Sequence, residues 1–130
     1  MDEINIPYHL AIPTIFNLIG LSMILFYRKR LFSKNKLLWI SITVFLVLYL
    51  VIVGNATLDA IFYHWDLNRY DLDKNGMFSG IEITEEQNQA MKKLTNDTGR
   101  NFSFITGFIF ASIIATVAYF SGRLILKHRN

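Results

Sequence analysis

The chain has 130 residues, 52% of them hydrophobic, a net charge of +3 and no cysteine. That length corresponds to one domain, and the missing cysteines exclude disulfides, thiolate metal sites and thiol nucleophiles. The apolar residues fall in three long blocks with nearly all the charges between them, whereas a water-soluble domain spreads its hydrophobes over amphipathic stripes.

The first block, residues 10–27, contains no Asp, Glu, Lys or Arg. At about 1.5 Å per residue it matches the roughly 30 Å of a bilayer's hydrocarbon layer. Pro13 suits a first helical turn, so the sequence predicts a span over about 12–28. A cleaved signal peptide carries its bases before the apolar run. Here Asp2 and Glu3 precede the block and Arg28, Lys29 and Arg30 follow it, which points to a retained helix.

The second block is apolar on every face, as lipid requires. It predicts a span over about 37–56, with the helix continuing to about 70. The third predicts a span over about 102–126. Within it Ser103, Gly107, Ala111 and Ala115 recur every four residues, a small-residue face that packs either on the chain's own first two spans or on a second copy. Asn17 lies mid-span and is expected to face another helix.

Charge sign sorts with these blocks. Arg28, Lys29, Arg30, Lys34 and Lys36 join the first two without an acid, and the tail carries Arg123, Lys127 and Arg129, also without one. The long connector between the second and third blocks holds eight acids against five bases. Basic flanks stay cytoplasmic, so the expected topology has the N-terminus outside, the tail inside and the long connector outside. A bacterial inner or plasma membrane is the expected location.

Inside that connector runs Asp71-Leu72-Asp73-Lys74-Asn75-Gly76-Met77-Phe78-Ser79-Gly80-Ile81-Glu82, which fits D-x-[DN]-x-[DN]-G-x5-E at every specified position. These twelve residues resemble the loop of the EF-hand calcium proteins. Calcium takes six to eight oxygen ligands, and the resemblance implies Asp71, Asp73, Asn75, the Met77 carbonyl, Ser79 and Glu82 as donors. Gly76 permits the sharp turn. Thr84 and Gln87 have capping-box spacing, predicting a following helix over 84–95, and Leu58, Ile61, Phe62, Trp65 and Tyr70 are candidates for the apolar side of the incoming one. EF-hands usually pair, and no second loop is present: Asp66-Leu67-Asn68 starts like one but lacks the glycine and the closing glutamate.

The remaining polar residues make no catalytic constellation. Asp59, His64 and Asp66 are spaced by five and two and do not share a helix face. The basic connector next to the bilayer fits lipid headgroups, with no motif for nucleic acid. The expectation is therefore an all-α, non-enzymatic protein with three transmembrane helices and an extramembrane EF-hand-like helix-loop-helix between the second and third. It would bind Ca2+ outside the cytoplasm and serve as an accessory or structural subunit, its partners being the bilayer and another membrane protein or a second copy. A calcium-responsive regulator or subunit of a channel or transporter is the alternative, and a membrane-embedded enzyme using Asp59, His64 and Asp66 a weaker one.

Overall fold

A computed structural model describes residues 6–128; Asp2, Glu3 and Arg129 lie outside the described residues. Among these the chain is all helical, without strands: α1 (Tyr8–Asn68), a short 3-10 turn (Gly80–Glu82), α2 (Glu85–Thr95) and α3 (Thr98–His128). Two helices are long and apolar enough to cross a membrane by length and composition, one running through Tyr8–Asn68 and the other ending at His128.

The 61 residues of α1 are not one straight rod. Asn35 has φ −146° and ψ 73°, outside the helical region, and divides the helix into arms over 8–34 and 36–68. The arms fold back on each other: the Thr14 and Thr57 hydroxyls lie 2.9 Å apart, and Gly20 faces the Leu46 side chain. Arg28, Lys29, Arg30 and Lys34 are therefore helical, and the reversal is confined to one non-helical residue. Asparagine tolerates such backbone better than most residues because its side chain competes with helical hydrogen bonding.

The helix begins at Tyr8, one turn before the start expected at Ile12 or Pro13. Pro7 precedes it, and its carbonyl accepts from the N–H groups of Leu10 and Ala11, at 2.9 Å each. Pro13 consequently lies inside the helix. The other boundaries shift modestly. The second arm ends at Asn68, α2 starts just after the predicted cap Thr84, and α3 starts at Thr98, before the expected 102. The start of α3 is fixed by Asp97, whose Oδ1 accepts the Arg100 N–H at 2.9 Å, an N-cap interaction.

The core is narrow and lies where α3 meets the α1 hairpin. Leu10, Val53 and Ala111 are fully buried there, with Tyr49, Ala56 and Ala60 around them. The small-residue face of α3 makes this approach possible: Ser103, Gly107 and Ala111 are buried, and Gly107 sits against Ile52 and Tyr49. The chain's own helices thus cover the part of this face that is buried. Tyr49 stacks on Phe45 at 5.7 Å, meets Phe108 edge-on at 5.9 Å, and donates its hydroxyl to the Phe104 carbonyl at 3.1 Å.

Outward faces are apolar as well. Phe16, Leu25 and Phe26 are 71%, 70% and 85% exposed, and Ile109, Phe110 and Ile113 of α3 are exposed too. Asn17 is buried as expected, yet neither atom of its amide has a hydrogen-bond partner in the protein.

Of the residues expected on the apolar side of the incoming helix, Leu58, Phe62 and Trp65 are exposed and Ile61 and Tyr70 half-buried, while Ala56, Thr57, Ala60 and Leu67 form the buried face. Small side chains allow α2 and α3 to come close, and the bulky ones go where there is room. Phe62 and Trp65 pair at 5.9 Å, and the Arg69 guanidinium lies over the Trp65 ring at 5.3 Å.

Candidate metal centre

The acidic loop begins where α1 ends. Tyr70 and Asp71 donate their N–H groups back to the Leu67 and Asn68 carbonyls, at 3.1 and 3.3 Å, and the chain then leaves helical geometry. The Asp66-Leu67-Asn68 tripeptide is still helical and forms no second loop.

Two left-handed residues curl the first half of the loop, and Gly80, at φ 55°, is a third further on. Lys74 has φ 58° and Gly76 φ 78°. The curl turns successive N–H groups onto the first aspartates: Asn75 N–H is within 3.2 Å of Asp71 Oδ1 and 3.1 Å of Asp73 Oδ1, and Gly76 N–H donates to Asp71 Oδ2 at 2.9 Å. Asn75 ties the turn from both ends. Its side-chain amide donates to Asp73 Oδ2 at 2.6 Å, and its Oδ1 accepts the Met77 N–H at 2.7 Å.

Glu82 closes the loop. The short turn Gly80–Glu82 carries it, separate from α2, and the residue is buried. Its Oε1 accepts from the N–H groups of Leu72 and Asp73, at 2.7 and 3.2 Å, and its Oε2 from Ser79 N–H at 3.0 Å. The Ser79 N–H above all holds the Glu82 carboxyl below the usual glutamate range; burial opposes it, the Asp73 and Leu72 N–H groups add to it, and the neighbouring Asp71 charge works against it.

These contacts bring Asp71, Asp73 and Glu82 together, with one oxygen of each within 4.8 Å of the others. A carboxylate has about four lone-pair sites, so the backbone N–H bonds leave acceptor capacity on all three. Asn75 is joined to the group through Asp73, and Met77 and Ser79 are held through their backbone N–H groups. The Met77 side chain is 70% exposed and takes no part in holding the loop. Like charges this close repel, and a hard cation with oxygen affinity relieves that repulsion; the donor set fits calcium in kind.

Behind the loop, the Thr84 hydroxyl accepts the Gln87 N–H at 3.1 Å, and α2 follows with Ala90 and Gln87 buried. Its far end is bolted to the bundle by Arg100, which the sequence reading passed over. The Arg100 guanidinium donates to the Leu94 carbonyl at 2.5 Å and to Lys93 at 3.4 Å, pairs with Asp97 at 3.8 Å, and lies over the Tyr63 ring at 4.9 Å. One signal was legible: a cation in the first turn of a helix opposes the helix dipole and implies a partner elsewhere.

Asp59, His64 and Asp66 do not converge. Asp59 is exposed, Asp66 pairs with Arg69 at 3.5 Å, and half-buried His64 is pushed below the usual histidine range by burial and by the Arg100 charge.

No protein-family model, curated protein or solved structure matches the chain.

Proposed function

We propose that this is a non-enzymatic calcium-binding integral membrane protein, spanning the bilayer three times. The grouping of Asp71, Asp73 and Glu82 oxygens within 4.8 Å carries the calcium reading. In that reading Asp71, Asp73, Asn75, the Met77 carbonyl, Ser79 and Glu82 are the oxygen donors of an EF-hand-like site. Bound calcium would supply positive charge that draws the loop's carboxylates together. The chain's own contribution is the curled backbone and the N–H groups that pre-position Asp71 and Glu82.

The membrane reading is supported by the outward apolar faces of both hairpin arms and α3 and by the segregation of charge sign. The Asn35 reversal supports counting α1 as two spans. Topology follows from the bases: the Asn35 end and the end of α3 inside, the acidic loop outside. Because the chain has no cysteine, single replacements Ser33→Cys and Met77→Cys report each side uniquely. A membrane-impermeant maleimide should label the second in intact cells and spare the first; labelling of Ser33→Cys overturns the topology.

Calcium titration of the full chain in detergent, after stripping with a chelator, tests the site. One saturable event is expected, weakened about tenfold or more in Asp73→Asn or Glu82→Gln, since affinity follows the charge count of the ligands. A wild type without saturable uptake at millimolar calcium overturns the assignment.

The Arg100 contacts favour a second reading, a calcium-responsive subunit of a channel or transporter. They join the helix behind the loop to Tyr63 of the second arm and to the start of α3, a route by which loop occupancy would shift helix packing. Calcium-dependent change in spin-label distances between α2 and α3 selects this reading, and rigid distances select the structural one.

A further inference from the structure

Between the second arm of α1 and α3 runs an open groove of about 320 Å³, walled by Leu38, Ile42 and Phe45 on one side and Ala115, Thr116 and Tyr119 on the other. Two close approaches bound it. Toward one end Gly107 meets Ile52, and at the other a Cβ on Gly122 would collide with the Leu37 side chain. Between these contacts the short side chain of Ala115 leaves space unfilled.

The groove is apolar in its chemistry despite its hydroxyls. Ser41, Ser112 and Thr116 each donate to the carbonyl four residues back in their own helix, at 3.1, 2.7 and 2.7 Å. An occupant running along it therefore meets mostly carbon. The walls are two helical turns long, about 10 Å, which is short for a helix seam and sufficient for a run of methylenes.

The groove opens sideways, and past the Leu37–Gly122 contact that ends it the surface is basic. That contact brings together the residue before Leu37 and the residue after Gly122, so that Lys36 and Arg123, both exposed, stand just beyond the groove. Arg123 also lies four residues beyond Tyr119, on the same face of α3. Lys34 and Lys127 flank the pair, and the described residues of the first arm and of α3 include no acid.

We propose that this groove is a site for an anionic phospholipid of the cytoplasmic leaflet, with one acyl chain along Leu38–Phe45 and Ala115–Tyr119 and its phosphate met by Arg123 and Lys36. The assignment rests on the membrane-spanning reading above. Charge complementarity selects the lipid class: a zwitterionic headgroup leaves the Lys36–Arg123 pair uncompensated, while an anionic one neutralises it.

Native mass spectrometry of the full chain from detergent micelles, titrated with phosphatidylglycerol or phosphatidylcholine of identical acyl chains, tests this. Phosphatidylglycerol should be retained at roughly tenfold lower concentration or less, because two basic side chains favour an anionic headgroup. Lys36→Gln with Arg123→Gln should bring phosphatidylglycerol to the level of phosphatidylcholine, whose own retention stays unchanged. Ala115→Phe should lower retention of both, at unaltered helix content. Equal retention of the two lipids by the wild type, or a preference that survives the double Gln variant, overturns the proposal. A dimer that Ala115→Phe dissociates overturns it too, by assigning the groove to a second copy. Failure of the spanning reading shows separately, in the Ser33→Cys and Met77→Cys labelling.

Discussion

The Arg100 guanidinium lies 4.9 Å from the centre of the Tyr63 ring while its side chain is only 3% exposed. A buried cation needs compensation, and here the ring face, the Asp97 carboxylate and the last carbonyls of α2 provide it. Those carbonyls carry the negative end of the α2 dipole. The single side chain thus holds the loop's rear helix against both long helices.

Replacing it should detach that helix locally. Arg100→Met keeps much of the packing and removes the donors, at a cost of about 1.5–3 kcal/mol, the range for hydrogen bonds to a charged group. Arg100→Lys should rescue little, because an ammonium cannot fork onto two carbonyls and stack on a ring at once. Amide hydrogen exchange reads the outcome: residues 85–97 lose protection while the Tyr49 region keeps it. Uniform loss across the chain would contradict a local role.

The two tight glycines should respond differently to alanine. A Cβ on Gly107 would come within 2.8 Å of Ile52 Cγ2, an atom that the β-branched side chain cannot swing away. Gly107→Ala should destabilise by about 1–3 kcal/mol, as overpacking does. At Gly122 the colliding atom is the tip of Leu37, which has a rotamer to move to, and alanine adds about 1 kcal/mol of helix propensity. Gly122→Ala should be near neutral, and thermal melts in one detergent compare the pair.

Acidification should loosen the acidic loop before the helices. The Glu82 carboxyl sits below its usual range in the folded chain, chiefly through the Ser79 N–H. A group depressed on folding contributes stability that is complete above its unfolded pKa and is lost as pH falls through the folded one. The loop should stay ordered at neutral pH and melt below the ordinary glutamate range. Glu82→Gln should remove this dependence, because an amide does not titrate there. The Trp65 emission, one turn before the loop, is a convenient probe, and a loop transition near neutral pH would contradict the assignment.

Gly76 supplies a test of backbone against ligand. It has φ 78° and open space where a Cβ would stand, so Gly76→Ala meets no clash and carries only the left-handed backbone cost of about 1–2 kcal/mol. Calcium affinity should fall without loss of any oxygen donor. An unchanged affinity would mean that loop curvature does not limit binding.

Most of the architecture was legible because it rests on composition at long range. Uncharged blocks and the 71–82 pattern are visible residue by residue, and Thr84 announces α2 by a local cap. What escaped depends on contacts between distant residues. The reversal between the first two spans is legible from the basic connector, but its confinement to Asn35 is not, because the flanking bases are good helix formers and the connector is helical apart from that one residue. Pro13 suits a first helical turn and so suggests a later start, whereas the helix is capped by the Pro7 carbonyl and runs through Pro13. Hydrophobicity marks Leu58, Phe62 and Trp65 as one apolar side of the incoming helix but does not say that this side faces outward. Sequence spacing gave no sign that Ala56 and Ala60, being small, would win the buried side. Arg100 was passed over for the same reason, since Tyr63 and the α2 carbonyls are near it only after folding.

The unequal arms of the hairpin have a consequence for the acidic loop if it binds calcium as proposed. In the spanning arrangement the second arm continues from about residue 56 to Asn68, a climb of about 18 Å at helical rise. Headgroups occupy only the first 5–7 Å or so of that height. The loop would then stand about one Debye length clear of the lipid surface, beyond most of the ion cloud that anionic headgroups gather. Its occupancy would follow the free divalent-ion level of the surrounding fluid, and changes in leaflet composition would leave it largely unaffected.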